Sequence, residues 1–329
     1  MSEAAKKTKE QYEQWLLSIT GVTGVGYNHS IHIYVDRATP QLKAMVPKEL
    51  NGVKVVLVES GKFVPLPLMV PLATRFAERT DRFRPCPGGI SCGAPQITAG
   101  TLGSRAIDRK TGQTLGLSNA HVLYSPWGTS PGGPKGNPVL QPGAYDGGTV
   151  DFDKIGELER WIPVKLEPEE NLIDAAVFKS DLLNEEIIDI GEIESPITPT
   201  IGMNVVKSGR TSALTYGTIY DVNATVKVSG DGDCLFKDQI IVNSPLLSPG
   251  DSGSLVLNSD SLRTVGLGFA GSESMSVVNK AEHVESLLDI AIITPEISPS
   301  SISLPLALTA FGVSLGLFQL GLGLKKGNA

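Results

Sequence analysis

From Pro95 to about residue 275, apolar residues come only in short runs, each closed by glycine, proline, asparagine or aspartate. Gln96–Leu102, Thr114–Leu117, Asn204–Lys207, Gly217–Tyr220, Ala224–Val228, Gln239–Val242, Ser254–Leu257 and Thr264–Leu267 are such runs. A helix of this region would need an apolar stripe at a period of about 3.6 residues. The first such stripe runs from about Lys280 to Leu288. Many short strands separated by turns argue for an antiparallel sandwich or barrel. The chain's 36 glycines and 22 prolines provide those turns. No internal repeat of fixed length is visible.

The part before Pro95 has a different grain. Lys6 to Ile19 suits an amphipathic helix, with Tyr12, Leu16 and Ile19 on one side. Ile31, Ile33 and Val35 alternate with His32 and Tyr34, as on a half-buried strand. Val53–Glu59 reads as a second strand, with room for a short helix between Pro40 and Leu50. Residues 1–64 therefore form a small α+β domain in which His29 and His32 are read as surface or strand residues, not metal ligands. Residues 65–94, rich in Pro, Arg and Gly, read as a linker. Its Arg75, Arg79, Arg82 and Arg84 are either a solvated face or a clamp between domains.

Composition excludes some classes. A hydrophobic content of 41% with 19% charged residues belongs to a folded chain. A net charge of −7 offers no basic patch, so nucleic acid is not an expected partner. Cys86, Cys92 and Cys234 fit no zinc spacing and read as free thiols rather than a bridge. Met1–Lys7 is charged with no apolar core behind it, unlike a secretory signal, and a cytoplasmic location is expected.

Three stretches carry chemistry. Ser248-Pro-Gly-Asp-Ser-Gly-Ser254 is a glycine-bounded turn feeding the apolar run Leu255–Leu257. A serine hydroxyl at such a tip becomes a nucleophile only beside a base. The Gly250 and Ser252 N–H groups aimed at one point would form an oxyanion hole. Taken alone, the same residues also make good plain turn chemistry. His121 follows the apolar run at Leu117, where a strand ends and a cleft can begin; alone, it could equally be a hydrogen-bonded core histidine. Asp174 sits between Leu172-Ile173 and Ala175-Ala-Val-Phe178, where an ionised carboxylate needs a partner. An imidazole N–H is such a partner; a turn cap at a strand edge is the alternative.

The chain order His, Asp, Ser is that of the double β-barrel proteases. Ser118-Asn-Ala-His121, Asp174-Ala-Ala-Val177, Gly250-Asp-Ser-Gly-Ser254 and Gly266-Leu-Gly-Phe-Ala-Gly271 resemble the trypsin- and chymotrypsin-like serine peptidases over roughly Ile97 to Ile290. Gln141–Gly148, Asn171–Ala176, Lys207–Ser212 and Thr215–Gly217 are more narrowly similar to the narrow-leaf-type stand-alone branch of plants and microbes. The resemblance implies a mainly β fold: a double antiparallel β-barrel of chymotrypsin type over residues 95–295, preceded by the small α+β domain and followed by a hydrophobic tail, 296–329. It implies a serine endopeptidase acting on polypeptides without a cofactor or metal. Ser252 would be nucleophile, His121 general base, Asp174 its orienter, and Gly250 and Ser252 the oxyanion donors. Leu246, Phe269 and Gly271 would line the specificity pocket. Leu246, six residues before the serine, is not acidic, so no preference for Lys or Arg is expected. No Ile-Val-Gly-Gly-type activation site precedes the barrels; the nearest run is Ile97–Gly100, so Asp251 need not pair with a newly cut N-terminus. A catalytically silent peptide clamp or a membrane-tethered scaffold is the rival reading.

Two features stay open in the sequence. Asp146, Asp151 and Asp153 share a Gly-rich loop that could hold calcium or be merely solvated. Ile297 to Leu324 is uncharged, and Leu304–Leu324 is close to the ~20 residues that span a bilayer. Pro305 and the alternation of Leu320, Leu322 and Leu324 with Gly321 and Gly323 speak instead for a strand or a partner-binding segment.

Overall fold

Ser2 starts the first element: its side chain accepts the Ala5 N–H at 3.4 Å, and helix α1 (Glu3–Ser18) follows. The computed structural model describes residues 2–65, 79–97, 99–124, 127, 133–230 and 232–292. The hydrophobic tail and Arg75 lie outside the described residues. After α1 come β1 (Val22–Tyr27), β2 (Ile31–Val35), α2 (Pro40–Met45), β3 (Glu49–Leu50) and β4 (Val53–Glu59). The β1–β2 pairing is antiparallel and β2–β4 is parallel, with Ile33 opposite Leu57. Leu16, Leu17, Ile31, Ile33 and Val53 close a small core under α1.

Strand β2 is not half-buried, as its alternation suggests, but buried on both faces. Its second face meets the barrel. His32 Nδ1 lies 3.2 Å, and the Tyr34 hydroxyl 3.1 Å, from Asp221 Oδ2. The small unit is thus built into the rest: β1 pairs with β17 (Ala213–Ser229), Gly24 opposite Val226. Lys9 and Glu13 of α1 form a buried pair at 2.6 Å, and Lys9 Nζ donates to Thr225 Oγ1 at 3.0 Å. Burial pushes the Glu13 carboxyl up, but the Lys9 ammonium outweighs it and holds it below the usual range.

The described part of the stretch read as a linker, Pro65 and residues 79–94, is also built in, while 66–78 lie outside the described residues. It carries β5 (Val64–Pro65), β6 (Cys86–Gly88) and β7 (Ser91–Cys92), the last paired with β8 (Gly100–Thr101). Arg79 is buried and donates to the carbonyl of Gly89 (3.1 Å) and to Ser208 Oγ (2.5 Å), so it clamps rather than faces solvent.

The first barrel is a six-stranded sheet. Its strands are β9 (Ser104–Asp108), β10 (Thr114–Ser118), β11 (Pro138–Leu140), β12 (Lys154–Trp161), β14 (Ala176–Lys179) and β22 (Ile290–Ala291), in the order β11-β12-β14-β10-β9-β22. Short helices α3 (Ala120–Leu123) and α4 (Val150–Asp153) lie in its connections. The second barrel closes on itself. Strands β16 (Asn204–Gly209), β17, β18 (Asp233–Val242), β21 (Ser276–Lys280), β20 (Thr264–Gly271) and β19 (Leu255–Asn258) pair in that order, and β19 returns to β16. Strand β13 (Glu170–Asn171) joins β18, β15 (Leu183–Ile187) joins β6, and α5 (Ala281–Leu288) leads back to β22. Gln239–Val242 and the two runs on either side of Asp221 are parts of longer strands than their apolar residues alone mark. The fold is mainly β, with two antiparallel barrels and a helix-bearing N-terminal region.

Candidate active site

His121 stands where β10 gives way to α3, with Asn119 as the capping residue. Asn119 Nδ2 donates to the Asp174 carbonyl at 2.6 Å, which ties this corner to the turn before β14. The Asp174 carboxylate is fully buried. It accepts from the His121 backbone N–H at 3.1 Å, from His121 Nδ1, and from Trp127 Nε1 at 2.9 Å. An ionised carboxylate only accepts, so Nδ1 carries a proton, and in the neutral imidazole Nε2 is then the acceptor. Nε2 is buried and has no hydrogen-bond partner among the described residues. The Asp174 backbone N–H donates to Asn279 Oδ1 at 3.0 Å, and Asn279 Nδ2 donates to Gln239 Oε1 at 2.8 Å. The carboxylate is therefore set by strands of both barrels.

Ser252 lies in the turn before β19. Gly250 has φ +96° and Gly253 +93°, values that side chains rarely adopt. A Cβ on Gly253 would also lie 2.2 Å from Ser118 Oγ and 2.3 Å from the Thr101 carbonyl. That closeness brings the turn against the first barrel just before His121. Thr101 seals the contact: its N–H donates to the Ser252 carbonyl at 2.8 Å and its hydroxyl to the Gly250 carbonyl at 2.9 Å. The N–H groups of Gly250 and Ser252 donate to nothing among the described residues. Ser252 Oγ donates to the Phe269 carbonyl at 3.3 Å rather than to His121. Trp127 links the two halves: its ring centroid is 5.6 Å from that of His121 and 6.1 Å from that of Phe269.

Asp251 is fully buried, and so is its counter-ion. Lys207 Nζ lies 3.0 Å from Asp251 Oδ2, while the Thr211 and Ser248 N–H groups donate to the carboxylate at 2.8 and 2.9 Å. Burial pulls the Lys207 ammonium's pKa down against the opposing pull of Asp251, to a value below the ordinary one. An internal lysine thus provides the cation that holds the Ser252 turn.

Of the residues expected to line a pocket, Phe269 turns its ring into an aromatic cluster with Trp127 and Phe236. Leu246 packs among Val205, Ile219 and Val265 of the second barrel. Gly271 lies at the end of β20, paired with Val64. Two of the three carboxylates of the acidic loop meet guanidinium groups, Arg210 engaging Asp146 and Arg82 lying 3.4 Å from Asp153, and Asp151 is exposed. Asp238, Glu282 and His283 do bring ligand atoms within 4.8 Å of one another, but Lys280 Nζ already sits 2.7 Å from Asp238 Oδ1. The three cysteines are buried free thiols. Burial pushes the Cys234 thiol up to about 12 and Cys92 higher still, so neither is a rival nucleophile. Trp127 and Asn279 were not singled out by sequence, and Lys207 only as the first residue of Lys207–Ser212, with no role given to it. Lys207 closes the run Asn204–Lys207 and is followed by Ser-Gly-Arg, so nothing in the sequence marks its charge as buried.

Residues 182–287 match the family model of the Nal1 C-terminal domain. No curated protein sequence matches the chain. Among solved structures, the chain is similar to the Nocardiopsis protease NAPase, at 19% identity and TM-score 0.47, over 63% of this chain and 98% of that one. It is also similar to Thermobifida fusca Protease A (15%, TM-score 0.46, 63% and 98%) and to Cellulomonas bogoriensis chymotrypsin (16%, TM-score 0.43, 63% and 98%). The structure itself shows two antiparallel barrels, with the Ser252 turn of the second lying against the first just before His121.

Proposed function

We propose that the chain is a serine endopeptidase. The observation that carries the reading is the His121 ring, held at Nδ1 by a buried carboxylate, with a buried Nε2 that has no hydrogen-bond partner among the described residues. In this mechanism Ser252 Oγ leaves the Phe269 carbonyl and attacks the carbonyl carbon of a peptide bond. Its proton passes to His121 Nε2. The oxygen that becomes negative is held by the free N–H groups of Gly250 and Ser252, each typically worth about 3–4 kcal/mol of barrier. Collapse breaks the C–N bond, and His121 returns the proton to the leaving amine. Water, deprotonated by the same nitrogen, then hydrolyses the ester on Ser252. Asp174 keeps the ring in the Nδ1–H tautomer and stabilises the imidazolium. A catalytic hydrogen bond that is long or diverted in an unliganded site and tightens on binding is common.

The test is labelling by a fluorophosphonate probe. The protein is expected to react and Ser252→Ala to stay unlabelled. Equal labelling of the two would overturn the assignment. Asp174→Asn, which favours the wrong tautomer, is expected to slow labelling by about a thousandfold or more.

A further inference from the structure

Strand β20 has two edges, and both are spoken for beside the candidate nucleophile. One edge carries β21 along Gly268, Ala270 and Gly271. The other carries β19 as far as Leu267 and then the Ser252 turn. There the Gly253 N–H donates to the Gly268 carbonyl at 2.9 Å and Ser252 Oγ to the Phe269 carbonyl at 3.3 Å. The next two residues on this second edge pair antiparallel with the chain's own β5, Ala270 opposite Pro65 and Gly271 opposite Val64. The segment is anchored upstream. Phe63 is fully buried in the aromatic cluster of Tyr34, Trp127, Phe236 and Phe269, and its carbonyl accepts the Ser229 N–H at 3.0 Å. The Ser60 carbonyl accepts from Ser274 Oγ at 3.2 Å.

An extended peptide that offers a carbonyl to Ser252 must lie beside Phe269 and continue along this same edge, adding a strand to the sheet. Its residues one and two places before the one opposite Phe269 would face Ala270 and Gly271. Those places are held by Pro65 and Val64. We propose that β5 is an internal competitor for the peptide-binding edge: a polypeptide substrate binds as an extended strand on Phe269–Gly271 and must displace Val64–Pro65 to do so. The inference rests on Ser252 being the nucleophile. The pairing is poised to yield. Pro65 has no N–H, so Val64 offers the only backbone donor of this two-residue strand. Val64 is also partly exposed, at 38%.

Val64→Pro removes that donor while keeping an extended backbone. It is expected to raise kcat/KM for a tetrapeptide or longer substrate by about tenfold, the worth of one backbone hydrogen bond. Fluorophosphonate labelling of Ser252 needs no peptide on the edge and is expected to stay unchanged. Val64→Ala, which keeps the N–H, should behave as the parent. A lock provides the converse test and does not depend on that variant folding. A Cβ on Gly61 would lie 3.4 Å from the Ser272 Cβ, so Gly61→Cys with Ser272→Cys can be bridged by oxidation. Gly61 has φ +73°, so the reduced double variant must first label and hydrolyse peptide like the parent. The oxidised protein should lose about tenfold in peptide hydrolysis and regain it on reduction, with labelling intact. Unchanged peptide hydrolysis in both Val64→Pro and the lock, with Ser252 still labelled, would overturn the competitor. Absence of labelling in every protein would overturn the peptidase reading itself.

Discussion

Lys207 and Asp251 are both fully buried, 3.0 Å apart, under the turn that carries Ser252. A buried pair is weak support for stability as a pair, but removing one partner strands the other charge, at about 3–5 kcal/mol. Lys207→Met should therefore lower the unfolding free energy by that amount, read from urea denaturation. It should also slow Ser252 labelling, because the turn loses its counter-ion. Lys207→Met combined with Asp251→Asn should recover much of the stability, and a double variant no better than the single would count against the pair. Asp108 offers a second test at this scale. Burial pushes its carboxyl up, but the Thr111 N–H (2.8 Å) and the Arg160 guanidinium (2.6 Å) outweigh that and hold it at about 2, below the ordinary 3.8. A folded value below the unfolded one means that the unfolded chain binds the proton first. The stabilisation is complete above about pH 4 and is lost as pH falls towards 2. Asp108→Asn should be less stable than the parent at pH 7, with the gap closing across that acid window in urea melts taken at each pH.

At the scale of elements, the short apolar runs marked most strands of the second barrel but few of the first: Gln96–Leu102 holds only β8, and β9, β11, β12 and β15 lie outside the runs. Strand lengths were less legible still. Gly217–Tyr220 and Ala224–Val228 read as two strands, since Asp221 and Asn223 interrupt the apolar pattern, yet both lie in β17. Asp221 is tolerated there because His32 and Tyr34 of β2 reach it, a pairing across 189 and 187 residues that no local pattern encodes. The same pairing turned a strand expected to be half-buried into a fully buried one. His121, Asp174 and Ser252 were legible for the opposite reason. An acid in an apolar run needs a partner. The histidine at a strand end and the serine in a glycine-bounded turn, each ordinary alone, gain meaning from standing in the chain order His, Asp, Ser. Trp127 carried no such mark, and only its place in space reveals the bond to Asp174. Tyr34→Phe should cost about 1–2 kcal/mol by withdrawing one donor from the buried Asp221 carboxylate. Urea denaturation of the two proteins checks it, and an unchanged midpoint would mean that the Tyr34 hydroxyl contributes nothing.

For the molecule as a whole, sheet continuity decides how the chain unfolds. Composition placed a border near residue 64, yet residues 1–295 form one compact unit, and the pairing of β1 with β17 runs a single sheet from β4 into the closed barrel. Removing the N-terminal region would bare the β17 edge at Thr225 and Val226 and the face of the barrel that β2 covers. An exposed, long strand edge of this kind is a template for aggregation. The full chain should then melt in one transition whose calorimetric and van't Hoff enthalpies agree, as a cooperative unit does. A chain beginning at Ser60, which keeps both barrels and β5, should run as aggregate or higher oligomer in size-exclusion chromatography. A monomeric, soluble protein from that truncation, melting within about 2 °C of the parent, would correspond to less than about 1 kcal/mol at this size. It would show that the barrels do not need the α+β region and that the border read from composition was a physical one after all.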